Sequence, residues 1–121
     1  MKTITLTELT DALSTGEPIT LVETLRLPAY EQGHLPGALH LHSDDVERLA
    51  NTVLPDRDAT IVTYCSNVSC RASTAVHAKL LRRGYVNVAT FAGGKHEWVD
   101  AGLPLESGRS PRLAPVPDSS R

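Results

Sequence analysis

The run Thr60-Ile61-Val62-Thr63-Tyr64 is β-branched and largely apolar from end to end, and it stops on a cysteine. It shows no alternation of wet and dry sides. That is the pattern of a strand covered on both faces, as in a parallel sheet. A short polar segment follows, and "RASTAVHAKLLRRG" then reads as a helix. Ala72, Ala75, Val76 and Leu80 share one face, basic residues fill the last turn, and Gly84 stops it. A strand, a tight polar loop and a returning helix form a unit that needs further parallel strands beside it.

The rest of the chain supplies them. "TITLTELTDAL" reads as a short strand and a helix, with Thr5 and Glu8 at capping-box spacing. "GEPITLVET" is a turn and a buried strand. "PAYEQGHLPGA" is a helical turn broken by Gly33, Pro36 and Gly37, and "ALHLH" is a brief strand. "SDDVERLANTV" is a helix opened by Ser43 with acids in its first turn. "VNVATF" is another buried strand, and "GGKHEWVDAG" a last short helix. The alternation predicts an α/β fold, with an about five-stranded, mainly parallel sheet flanked by helices on both faces. Ligands of such sheets bind beyond the carboxyl ends of the strands.

A length of 121 residues suits one domain. A formal net charge of −2 provides no basic field for nucleic acid or an acidic membrane. "MKTITLTELTDAL" lacks the basic segment and apolar block of a signal peptide. No apolar run approaches the roughly 20 residues that cross a bilayer. These features lead us to expect a cytoplasmic protein with reduced thiols. Two cysteines make no disulfide framework, so their importance is expected to be chemical. Residues 1–106 read as the domain. "SGRSPRLAPVPDSSR", residues 107–121, is rich in Pro, Ser and Arg and reads as a disordered tail.

The sheet rule puts Cys65 at the binding edge. Ser66, Asn67, Val68 and Ser69 are too few for a wide excursion, so the loop must curl to let the helix pack back. Curling turns backbone N–H groups inward, making an anion nest around the sulfur at a helix mouth. Amides and helix dipole favour thiolate, so Cys65 is expected to be a nucleophile at neutral pH. The competing reading is a buried, inert small hydrophobe.

Three segments in order carry a family resemblance. "LVETLRLPAYEQGHLPGALHL" includes the Gly-His-hydrophobic-Pro-Gly-Ala core at Gly33 to Ala38. "IVTYCSNVSCRAS" holds the cysteine, and "LRRGYVNVATFAGGKHEWVDAGLPLE" holds the Gly-Gly pair, Trp98 and an Ala-Gly-Leu-Pro ending. Together they resemble a single-domain rhodanese, a sulfurtransferase module. The resemblance implies a ping-pong cycle on Cys65. The cysteine takes a sulfane sulfur from a donor such as thiosulfate, holds it as a persulfide, and passes it to cyanide, a thiol or a protein acceptor. It implies no cofactor and no metal. The binding loop would be Ser66, Asn67, Val68, Ser69, Cys70 and Arg71. The family's Asp-x-Arg is replaced by Glu23-Thr24-Leu25, and its loop glycine and early basic residue are absent. These departures predict weaker or different donor selectivity.

The same loop supports rival readings. Cys65 to Arg71 spells C-x-x-x-x-x-R, the oxyanion loop of cysteine-dependent phosphatases and arsenate reductases, in which arginine grips two oxygens. Tyr64 in place of histidine, Ala72 after the arginine and a loop without glycine stand against it. A non-catalytic binding module of the same fold is a second rival, and zinc held by Cys65, Cys70 and His77 a third. Cys70 reads either as a resolving thiol for Cys65 or as a packing residue, and Arg71 as an anion ligand or a solvated side chain. His34 reads as structural support in its turn, and Glu23 as an acceptor for loop N–H groups or a solvated charge. His40, His42, His77 and His96 read as surface residues, and Trp98 as packing for the last helix.

Overall fold

The apolar run Thr60–Tyr64 lies in the interior of a fully parallel sheet in the computed structural model, which describes residues 1–108. The elements, in chain order, are α1 (Leu6–Ser14), β1 (Ile19–Glu23), α2 (Leu27–Gln32), β2 (Leu39–His40), a 3-10 turn (Ser43–Asp45), α3 (Val46–Val53), β3 (Thr60–Tyr64), α4 (Ala72–Arg82), β4 (Asn87–Phe91) and α5 (Gly94–Asp100). The strand order is β2-β1-β3-β4.

The sheet has four strands rather than the five expected. The first strand shrinks to a parallel bridge between Thr3 and Thr90. The cause is local: Thr5 is already the N-cap of α1, with both halves of the predicted capping box formed by Thr5 and Glu8. Only Lys2 and Ile4 remain to bond β4. The expected helix opening at Ser43 is also modified, because its first turn is 3-10 and the α-helix proper starts at Val46.

Alternate residues of the central strands feed two cores. Val22, Ile61 and Val88 pack with Val46, Ala50, Val76 and Leu80 of α3 and α4. Leu21, Val62, Tyr64 and Phe91 pack with Leu9 of α1 and Trp98 of α5 on the other face. Coverage on both sides explains why β3 carries no wet side. Register then sets one row at the carboxyl edge, with Glu23 level with His40 and Tyr64, and Tyr64 level with Phe91. Cys65 is the next residue out.

The described chain ends against α2. His34 and Glu106 exchange backbone bonds at 2.8 Å, and the Gly108 N–H reaches the Glu31 carbonyl at 2.8 Å. Ser107 and Gly108 belong to the tail expected at 107–121, and the remainder, 109–121, lies outside the described residues. No helix among the described residues is long and apolar enough to cross a membrane.

Candidate active site

The loop from Cys65 to Arg71 is held from outside by its carbonyls. Lys95 N–H donates to the Cys65 carbonyl at 2.9 Å, and His96 N–H to the Ser66 carbonyl at 2.8 Å. Both donors come from the first turn of α5, where helix N–H groups lack internal partners. In a trans peptide the N–H points opposite its C=O. Fixing the Cys65 carbonyl toward α5 therefore turns the Ser66 N–H inward. Gly94 makes the approach possible. Its φ of +61° suits glycine, and a Cβ there would overlap the Cys65 carbonyl oxygen and come within 2.9 Å of the carbonyl carbon. On the strand side, Thr24 holds the Tyr64 carbonyl with its N–H at 3.1 Å and its hydroxyl at 3.0 Å.

The inward amides serve two sulfurs, not one. The Cys65 sulfur, buried at 1% exposure, meets the Ser73 N–H and the Ser73 hydroxyl, whose oxygen lies 3.7 Å away. Beside the half-buried Cys70 sulfur stand the N–H groups of Ala72 and Ser66, the Ser66 hydroxyl and the Cys65 thiol, each of which favours its ionised form. Charge settles accordingly. Burial pushes the Cys65 thiol up, and the bond it gives to Cys70 pushes the same way, against the lowering effect of Ser73. At Cys70 burial also opposes ionisation, but the four donors outweigh it and the thiol is held below its ordinary range. The expected lowering at Cys65 is thus corrected: burial raises its thiol, and Cys70 is the member of the pair whose ionisation the loop favours. Because a thiolate is the species that alkylates, limiting iodoacetamide at neutral pH should label Cys70 before Cys65. Fragment spectra of the peptide carrying both cysteines check the order, and label arriving first on Cys65 contradicts the assignment.

Beneath the loop lies a buried ion pair that the sequence reading missed. Glu23, at 0% exposure, accepts from the Tyr64 hydroxyl at 2.9 Å and from Lys95 Nζ at 2.9 Å. Lys95 gives its other protons to the Ala29 and Gly33 carbonyls at 3.1 and 2.7 Å, so all three donors of the ammonium are used. Leu35 N–H bonds the Tyr64 hydroxyl oxygen at 3.0 Å. Burial, then the Glu23 charge, raise the Tyr64 phenol far above its ordinary range, so it stays a donor. The acid of the Glu23-Thr24-Leu25 segment thus has a cation, supplied by Lys95 rather than by an arginine at Leu25. An available signal was the unmatched acid at Glu23 together with the lysine after the Gly-Gly pair.

A second buried chain supports Ser73. His77 Nδ1 lies 2.8 Å from the Thr90 hydroxyl, which lies 2.9 Å from that of Thr63, which reaches the Ser73 carbonyl at 3.1 Å. The carbonyl can only accept, so Thr63 donates to it, Thr90 donates to Thr63, and His77 donates through Nδ1–H. Burial lowers the His77 pKa, in keeping with a neutral ring. The surface reading of His77 is corrected, since it is 1% exposed, and its bond to Thr90 engages it apart from the two cysteines. His40 is half-buried and bonds the Leu25 carbonyl at 2.6 Å. His34 is buried, bonds the Tyr30 carbonyl at 2.8 Å and stacks on the Tyr30 ring at 4.0 Å.

Ser66 is half-buried, and Asn67, Val68 and Ser69 are exposed. The Asn67 side chain takes the Ser69 N–H at 2.9 Å. Arg71 is exposed at the start of α4, and its guanidinium makes no hydrogen bond or ion pair with the described residues. A hollow of about 350 Å³ lined by Arg26, Leu27, Pro28, His42, Asp44 and Asp45 opens on the same edge of the sheet. One of about 420 Å³, lined by residues including Pro18, Pro55 and Thr60, lies at the amino ends of the strands, away from the thiols.

A family model for the Rhodanese-like domain matches residues 5–101. The chain belongs to the rhodanese-like family. Among curated proteins this rhodanese-like domain is 36% identical over 107 residues to an HTH-type transcriptional regulator of Mycobacterium tuberculosis, covering 87% of the chain and 45% of the relative. It is 31% identical over 103 residues to the thiosulfate sulfurtransferase YnjE of Escherichia coli, covering 74% of the chain and 23% of the relative. It therefore spans less than half the length of the curated relatives it matches. Among solved structures, a rhodanese from Escherichia coli determined with anions is 27% identical with a TM-score of 0.61, over 74% of this chain and 99% of that one. A rhodanese-related protein from Thermoplasma volcanium, 16% identical, shares the fold at a TM-score of 0.75 over 89% of this chain and 100% of that one.

Proposed function

We propose that this rhodanese-like domain is a sulfurtransferase that carries a sulfane sulfur as a persulfide on Cys65. The observation that carries the reading is the placement of Cys65. It ends the central strand β3, inside a loop whose carbonyls are taken by α5 and whose amides face sulfur. The name of the Escherichia coli relative, a thiosulfate sulfurtransferase, supports the same chemistry.

The steps follow from the thiol pair. Cys65 attacks the outer sulfur of a donor such as thiosulfate, and its proton passes to the Cys70 thiolate. The S–S bond of the donor breaks, and sulfite leaves with the electron pair. Ser73 N–H and hydroxyl stand against the persulfide so formed, and Arg71 offers its exposed charge to the incoming anion. Cyanide, a small thiol or a protein thiol then takes the outer sulfur and returns Cys65. A reducing cytoplasm suits two unpaired cysteines. The phosphatase and arsenate-reductase reading needs Arg71 turned into the nest, and its exposure counts against that.

The test is acid-quenched mass spectrometry after thiosulfate is added. An extra sulfur on Cys65, removed by cyanide as thiocyanate, is the expected result. Protein that releases no sulfite and carries no sulfur, yet hydrolyses an aryl phosphate, would sink the proposal.

A further inference from the structure

Rhodanese-type transfer needs one thiol, and this nest is built around two. The Asn67–Cys70 turn, closed by Cys70 N–H on the Asn67 carbonyl at 3.1 Å, folds the loop back on itself. The Cys65 sulfur lies 4.0 Å from that same Asn67 carbonyl oxygen, so the turn brings both cysteines to one acceptor, and the two thiols influence one another's ionisation. A packing cysteine would not take the loop's donors. Cys70 takes the N–H and hydroxyl of Ser66 as well, and is the more accessible of the pair.

We propose that Cys70 displaces the sulfur carried on Cys65, so that the domain reduces sulfane sulfur to free sulfide. The inference rests on the persulfide reading above. After loading, the proton held by Cys70 moves to the outer sulfur of the Cys65 persulfide. The Cys70 thiolate attacks Cys65 Sγ, a Cys65–Cys70 bond forms, the bond to the outer sulfur breaks, and that sulfur leaves as hydrosulfide with the electron pair. The two cysteine sulfurs are oxidised and the sulfane sulfur is reduced, so the step itself needs no outside oxidant. A dithiol reductant then restores the pair with two electrons and two protons.

Three features favour the step. Exchange proceeds faster as the leaving group becomes less basic, and hydrosulfide is less basic than an alkyl thiolate. The attacking thiol is held in the loop beside its target, so no second molecule must be collected. A disulfide needs Cα atoms within about 7 Å, and thiols in mutual contact across a tight turn suit that span.

The experiment uses reduced protein freed of reductant, given thiosulfate under argon with neither thiol nor cyanide. Sulfite, sulfide and intact mass are followed together. The expected result is matched release of sulfite and sulfide, protein two hydrogens lighter, and a Cys65–Cys70 link in the unreduced peptide map. Sulfite with a persistent extra sulfur and no sulfide overturns the inference while leaving persulfide loading intact; sulfur found on Cys70 is such a case. Absence of sulfite means that loading itself fails, and takes this inference with it. Cys70→Ser should stop at the sulfur-loaded form, with sulfide release down about tenfold or more, the scale of a lost intramolecular attack. Sulfide from that variant at the wild-type rate also overturns it. The wild-type peptide map decides the matter even where the variant folds poorly.

Discussion

Cys65→Ser should bring thiocyanate release from thiosulfate and cyanide down to the uncatalysed background, with the fold left in place. Serine is close in shape, and its oxygen can keep the Ser73 N–H and hydroxyl that now face the sulfur. What it cannot do is store sulfur, because an alcohol is a poor nucleophile at neutral pH and the chemistry runs through an S–S bond. Paired steady-state assays and melting curves separate the two effects. The pair also sets up a sharper comparison. Cys70 is the thiol whose ionisation the loop favours, so it is the alternative carrier. Activity surviving in Cys65→Ser and vanishing in Cys70→Ser would transfer the persulfide to Cys70 and overturn the assignment of Cys65.

Lys95→Ala should cost about 3–5 kcal/mol of folding stability, the range for stranding one partner of a buried ion pair. Glu23 is 0% exposed, and the lysine is its sole cationic partner among the described residues. A typical domain has only about 5–15 kcal/mol in hand, so the variant should melt well below wild type. The same lysine ties α2 to α5 through the Ala29 and Gly33 carbonyls, and its own N–H holds the Cys65 carbonyl. The backbone bond survives truncation, but the helix that presents it loses its anchor. Urea denaturation measures the loss. The double variant Glu23→Gln with Lys95→Met should recover part of it, since neither charge is then stranded. Equal stabilities of Lys95→Ala and wild type would show the pair to be solvated rather than buried.

Local signals carried β3, α4 and the capped start of α1, because each is written within a few adjacent residues. What escaped depends on distance or on polar residues facing inward. Glu23 and Lys95 meet from distant parts of the chain, and nothing near either residue names the other. On α4, residue type alone puts Ala72, Ala75, Val76 and Leu80 together on one apolar face. The buried set is Ser73, Val76, His77 and Leu80, with Ala75 exposed. Ser73 and His77 stand one turn apart and look solvent-facing by type. They turn inward because partners wait there: the Thr90 hydroxyl for the His77 ring, and the Cys65 sulfur, 3.7 Å away, for the Ser73 hydroxyl. The position of Cys65 was legible from the strand that ends there. The state of its proton was not, because that depends on how inward amides are shared between two sulfurs.

The bracing of the loop by α5 bears on the order in which the chain assembles. The donors that orient the Cys65 and Ser66 carbonyls lie at Lys95 and His96, beyond α4 and β4. During synthesis, residues emerge from the amino end first. The β1–β3 pairing and the thiols are therefore available before the element that locks the nest. A chain cut after β4 would hold both cysteines and most of the sheet, yet lack the backbone donors of α5. The bracing of the thiol loop is thus among the last features of the described fold that the nascent domain acquires.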